Sequence, residues 1–248
     1  MNENSPKSSG GNIQCALNGE SVVDLKAAIE EAWLLTKNTK AAILQGVFFT
    51  ISFTLLLIVL WQGWFNIDDW EQAPVSLRVG LNLLITVMSA PLLTALMLMG
   101  MAHSIGRTAH FMPLVKRLAG SVLLVLAAIM ITALVNVGMT LLLLPGVYLA
   151  MATGFSLPLL VEKKLSPSKS IILSLKVFNI YWRQLVLFYL IFTLLFVLGA
   201  FTFGVAYIWI VPFYLNCKGV LYRELFGIEV ESDSIDSTQN KDESVFHA

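Results

Sequence analysis

The chain has 248 residues, 57% hydrophobic and 13% charged, with a mean hydropathy of +0.77 and a formal net charge of zero. Soluble domains carry about 25% charged residues, and a soluble core this apolar would leave too few polar groups to cover its own surface. A soluble globular class is therefore excluded in favour of a membrane class, and the balanced charge gives no basic footprint for nucleic acid.

The first twenty residues, beginning MNENSPKSSGGN, are polar and aperiodic, which predicts a disordered cytoplasmic segment over 1–20. No apolar run precedes residue 41, so the h-region of a cleaved signal peptide is not expected. Residues 21–40 place Val22, Leu25, Ile29, Ala32 and Trp33 at helical spacing, opposite Asp24, Glu30 and Glu31. This pattern predicts a first amphipathic helix lying in the membrane interface. A spanning helix needs about 20 apolar residues. Residues 41–62 are charge-free and qualify, as do 79–102, where Pro91 predicts a kink.

A charge-free run of 44 residues extends from Leu118 to Val161. As one helix it would measure about 66 Å, twice a crossing. Pro145-Gly146 is its strong break, which predicts spans over 119–144 and 147–162, the second short enough to thin the bilayer or re-enter. Residues 166–183 predict a second interfacial helix, with Ser166 as cap, Pro167 at its first position and a stripe of Ile171, Leu175 and Phe178. This segment aligns weakly with 21–40 at an offset of 143, pairing Lys26 with Lys169 and Lys40 with Arg183. Between Arg183 and Lys218 lie 34 charge-free residues, read as spans over 181–199 and 204–223, with Gly199 and Gly204 near the turn and Lys218 snorkelling to the surface. The acidic, Ser-rich residues 228–248 predict a disordered cytoplasmic tail. The expected fold is an all-α polytopic membrane helix bundle: six transmembrane helices and two interfacial helices within one membrane domain, residues 21–227.

Charge sets the orientation. With the N-terminus inside, fifteen of the sixteen Lys and Arg residues fall in cytoplasmic segments, and Arg78 alone falls outside. The outer loop carries Asp68, Asp69 and Glu71, read as solvated, topology-enforcing charges. A multi-pass protein of a bacterial inner membrane, both termini cytoplasmic, is the resulting expectation.

Chemistry is sparse. No Asp, Glu, Lys, Arg or His is placed at membrane depth, which removes the usual equipment of proton relays and intramembrane metalloproteases. No phosphate loop, dinucleotide fingerprint, HExxH, CxxC or GxSxG occurs. Cys15 and Cys217 make neither a disulfide framework nor a metal set. His103 and His110 share a helix face but stand about 10 Å apart along it, and are read as solvated loop residues. No cofactor is expected, and no enzyme. Polar residues at depth are Gln45, Asn82, Thr94, Asn136, Ser156 and Asn216, expected to bond between helices. Asn82, Asn136 and Ser156 are the candidates for lining a cavity. Lys163, Lys164, Lys169, Lys176 and Arg183 form a basic strip with the chemistry to meet anionic lipid.

Several short motifs recur around these breaks: Pro145-Gly146-Val147-Tyr148-Leu149, then Glu162 to Pro167, then Ser174, then Leu221-Tyr222-Arg223-Glu224-Leu225-Phe226-Gly227. In them the chain resembles the six-helix membrane domain found with some bacterial glycerophosphodiester phosphodiesterases and in small, uncharacterised bacterial inner-membrane proteins. The resemblance covers about 130–227 well and the first two spans by arrangement. It implies the architecture and no activity, since the phosphodiesterase catalytic domain has no counterpart here. The functional expectation is a non-enzymatic membrane module that packs with lipid, a membrane protein partner or a second copy of itself, in envelope maintenance or stress response. The alternative is a small transporter for an uncharged or amphipathic solute.

Overall fold

The computed structural model describes residues 8–66 and 72–229. The expected outer-loop charges Asp68, Asp69 and Glu71, and the tail beyond Glu229, lie outside the described residues. The described residues are all-helical apart from one pair of two-residue strands, β1 (Ser8–Ser9) and β2 (Ile228–Glu229). Its helices are α1 (Ile13–Asn18), α2 (Leu25–Phe65), α3 (Val75–Ser104), α4 (Phe111–Leu118), α5 (Val122–Leu141), α6 (Leu143–Ala152), α7 (Ser156–Glu162), α8 (Pro167–Ile180), α9 (Trp182–Ala200) and α10 (Tyr207–Phe226). Among the described residues five segments are long and apolar enough to cross a membrane: α2, α3, α5, the α6–α7 run and α9. The expected sixth, α10, carries Lys218, Arg223 and Glu224 in its second half and does not join them on composition.

Asp24 caps α2 by accepting from the backbone N–H groups of Lys26 and Ala27 at 3.0 and 3.2 Å. From there 41 residues run without a break, about 62 Å of helix. The first expected interfacial helix is therefore not a separate element. Residues 25–40 contain no Gly or Pro to turn the chain, and they extend the first apolar segment along one axis. The buried face carries Ile43 and the smaller Ala28, Ala32, Thr36, Gly46 and Thr50 at helical spacing.

The reversal expected at Pro145-Gly146 occurs three residues earlier. Leu142 alone is extended (φ −159°, ψ 145°), between the end of α5 and the start of α6. Pro145 sits in the first turn of α6, where its missing N–H costs no helical bond. Gly146 serves contact instead: a Cβ there would collide with Met139, and one on Gly138 would stand 2.9 Å from the Gly146 Cα.

Helices α6 and α7 are separated by a turn at 153–155, and α8 folds back along both. Ser174 stitches this joint. Its hydroxyl donates to the Ala152 carbonyl at 2.6 Å and accepts from the Phe155 N–H at 3.3 Å, satisfying backbone groups that the break frees. Tyr148 donates to the Asn179 side-chain oxygen at 2.6 Å further along the same pair. The predicted α8 stripe holds at Ile171 and Phe178, which are buried with Ser170, Ser174 and Val177. The weak likeness between 21–40 and 166–183 does not extend to shape, because Tyr181 breaks α8 from α9 while α2 is continuous.

Residues 8–20, expected to lack structure, are ordered against the other end of the chain. Strands β1 and β2 pair antiparallel, Ser8 with Glu229 and Ser9 with Ile228. The Gly11 N–H donates to the Arg223 carbonyl at 2.9 Å, and Ala16 of α1 is fully buried. Gly227 (φ +64°) turns the chain out of α10 where a side chain would strike the Gly11 carbonyl. The two ends of the described chain therefore meet. Elsewhere the surface is strongly apolar: Phe48, Leu55, Val59 and Trp64 of α2 and Leu141 to Leu144 at the α5–α6 reversal are all exposed. Such a surface suits hydrocarbon and not water.

Candidate functional site

Helices α2, α3 and α10 meet at a buried polar crossing. Gly100 and Gly219 let α3 and α10 touch backbone to backbone; a Cβ on either would collide with main-chain atoms of the other helix. Beside them Asn216 is fully buried. Its Nδ2 donates to Thr36 Oγ1 and Thr39 Oγ1, each at 3.1 Å, and its Oδ1 lies 3.0 Å from His103 Nδ1. Both threonine hydroxyls already donate to the backbone, Thr36 to Ala32 at 2.7 Å and Thr39 to Leu35 at 2.9 Å. They are thus acceptors toward Asn216, whose amide nitrogen must face them. His103 must then carry its proton on Nδ1 and donate to Oδ1. The expectation that His103 is a solvated loop residue is overturned: it sits in the last turn of α3 and is buried.

Lys218, expected to snorkel, is buried instead, at 6% exposure. Its Nζ lies 3.5 Å from the Tyr214 hydroxyl and over the rings of Phe155 and Tyr214, at 5.5 and 5.6 Å from their centroids. Ring faces compensate a cation in part, and among the described residues no carboxylate pairs with it. An adjoining cavity of about 10 Å³ lies against Met97, Met101 and Pro158, room for about one water. The Tyr189 hydroxyl and the Ser156 hydroxyl are buried, and among the described residues neither has a partner.

At its C-terminal end α10 is clamped by charge. Arg223 forms a two-bond ion pair with Glu31 of α2, at 2.6 and 2.8 Å, and also donates to the Ser104 carbonyl. Glu162 accepts from the Tyr222 hydroxyl at 2.7 Å and from the Glu229 N–H at 3.0 Å. Lys163 turns to Glu162 and Glu229, at 3.2 and 3.5 Å, and so leaves the basic strip for an internal pair. Lys164, Lys169, Lys176 and Arg183 remain exposed.

The three candidate cavity residues do not converge. Asn82 and Asn136 line one open groove of about 390 Å³ between α3 and α5, while Ser156 is buried at the start of α7. Among the described residues neither asparagine amide has a hydrogen-bond partner. The residue that does bond between helices is Asn216. Gln45 lines a second groove with Phe49, His110 and Phe111, and Thr94 donates to the Ala90 carbonyl of its own helix. Among the described residues no cluster of His, Cys, Asp and Glu could hold a metal ion.

These contacts join α2, α3, α7 and α10. No protein-family model, curated protein or solved structure matches this chain.

Proposed function

We propose that the chain is a non-enzymatic integral membrane module that packs with lipid or a partner protein. In this reading it crosses a bacterial inner membrane six times, keeps both termini in the cytoplasm, and belongs with the membrane domain it resembles in sequence. The observation that carries the reading is what its motif residues do. Gly146, Tyr148, Glu162, Ser174, Tyr222, Arg223 and Gly227 each make a helix-to-helix or end-to-end joint. Parity supports six crossings: residues 8–9 pair with 228–229, so the two ends belong on one side, and five crossings would separate them. Asn216 and its partners form a filled, paired crossing, which supports packing, whereas Asn82, Asn136 and Ser156, whose pairing the module reading expected, are unpaired among the described residues.

One observation favours the transporter as a second reading. Buried Lys218 stands beside the broken α6–α7 helix, and transporters build sites at such breaks. Extraction with native lipid in polymer discs, after mild cross-linking, followed by native mass spectrometry separates the two. The module predicts a stoichiometric lipid or second protein on the particle. A bare chain that accumulates solute in proteoliposomes would contradict it.

A further inference from the structure

The turn that joins α9 to α10 is apolar outside and closed on itself. No Asp, Glu, Lys, Arg or His lies between Arg183 and Lys218. Where a turn in water carries polar side chains, this one presents Leu198, Phe201, Phe203 and Val205, and the Phe203 ring is 100% exposed. Phe203 holds a left-handed backbone (φ +52°), which a bulky residue rarely adopts. The backbone N–H groups of residues 201 to 210 all find acceptors within residues 198–206, that of Ala206 being the Thr202 hydroxyl at 3.0 Å. The 105–110 loop differs on both counts: it carries Arg107 and His110, and its Thr108 and Ala109 N–H groups have no partner among the described residues. Position follows from α2. Helix α10 runs antiparallel to the first half of α2, with Arg223 on Glu31, Asn216 on Thr36 and Thr39, and the Trp209 ring centre 3.4 Å from the Lys40 ammonium. Lys40 directly precedes the charge-free run of α2, which extends from Ala41 to Phe65, about 38 Å of helix. Phe203 is six residues from Trp209, roughly 9–12 Å of helix and helical turn. The tip therefore lies level with the first part of that run and well short of its end.

We infer that α9 and α10 form a re-entrant hairpin whose tip, Leu198 to Val205, is seated among the acyl chains of the bilayer. The inference rests on the reading of an integral membrane chain. It turns the last two of the six proposed crossings into one hairpin that enters and leaves by the same face, and the parity that unites the chain ends is unchanged. The hydrogen bonds choose the occupant. Hydrocarbon offers a backbone no partner, so an irregular segment at that depth must satisfy its own polar groups, N–H groups above all. Water or a protein partner would supply acceptors, and a turn facing either has no need to close every N–H. Exposed Phe201, Phe203 and Val205 also forgo in water the burial that acyl chains give them.

The test places a nitroxide at position 203 through Phe203→Cys, in full-length protein carrying Cys15→Ser and Cys217→Ala, reconstituted in vesicles of dioleoylphosphatidylcholine and dioleoylphosphatidylglycerol. Collisions are measured with oxygen, which concentrates in hydrocarbon, and with a nickel chelate, which stays in water. Phe48→Cys, exposed on the charge-free run of α2, and Lys164→Cys, exposed among the basic residues, are the references. The expected result is an oxygen-to-nickel ratio at position 203 that matches position 48 and stands several-fold above position 164. A ratio like that of position 164 would put the turn in water and overturn the hairpin, while position 48 would still carry the membrane reading. Low collision with both reagents would mean that protein covers the tip, and would overturn the lipid as occupant. A position 48 that matches position 164 would overturn the membrane reading itself. A second measurement uses the turn's own bond: Thr202→Val removes the acceptor of the Ala206 N–H and is expected to lower the melting midpoint, and Thr202→Ser to keep it. Equal midpoints would mean that water reaches that N–H, and would overturn the lipid-seated tip.

Discussion

Replacing Gly219 with leucine is expected to destabilise the bundle severely. A side chain at this position meets the main chain of α3 at Gly100 and Met101, and backbone cannot yield as a flexible side-chain tip can. Overpacking of an interior typically costs about 1–3 kcal/mol. Here the helices must separate at the crossing that also holds Asn216, so about 3 kcal/mol or more is expected, a large share of the stability of an ordinary domain. The loss is read as the yield of monodisperse protein and its melting midpoint. Gly120→Leu is the control, because a Cβ there meets nothing within 4 Å. Equal damage from both substitutions would remove the crossing as the cause.

Asn216→Leu is the second large effect. It leaves the His103 Nδ1–H buried without an acceptor and removes two bonds to the threonines. Orphaning a buried donor costs about 1–3 kcal/mol, while replacing both partners by apolar groups is nearly neutral. The single variant should lose about 2–3 kcal/mol, and Asn216→Leu/His103→Phe should recover part of it. A double variant no more stable than the single one would show that the network is not what holds the crossing. Measurement is by melting midpoint in one detergent, so that the solvent term is constant.

Helices were legible in the sequence where an apolar run alone decides them. The expected span 79–102 became Val75–Ser104, and 181–199 became Trp182–Ala200. Joins between helices were not. Continuity of α2 was hidden because its first half is amphipathic and its second uniformly apolar, a change of surroundings and not of backbone. Pro145-Gly146 reads as a turn, yet Pro is also favoured at a helix start and Gly at a close approach; only the Met139 and Gly138 contacts separate these uses. His103 follows directly on the apolar run that ends at 102, which makes it look like loop although the helix runs through Ser104. Lys218 counted as an inner-surface charge because a tally of basic residues cannot see Phe155 and Tyr214 around the amine. Asn216 was recognised as a polar residue at depth. Its partners Thr36 and Thr39 are 180 and 177 residues away, and no local pattern joins them.

Side-specific labelling tests the central claim most directly, namely that an even number of crossings brings the chain ends together. In a background carrying Cys15→Ser and Cys217→Ala, single Ser9→Cys, Glu229→Cys, Lys164→Cys and Trp64→Cys variants are exposed to an impermeant maleimide in sealed, oriented vesicles. The account predicts that positions 9, 164 and 229 react from one face and position 64 from the other. Labelling of positions 9 and 229 from opposite faces, or of 64 and 164 from the same face, would contradict it.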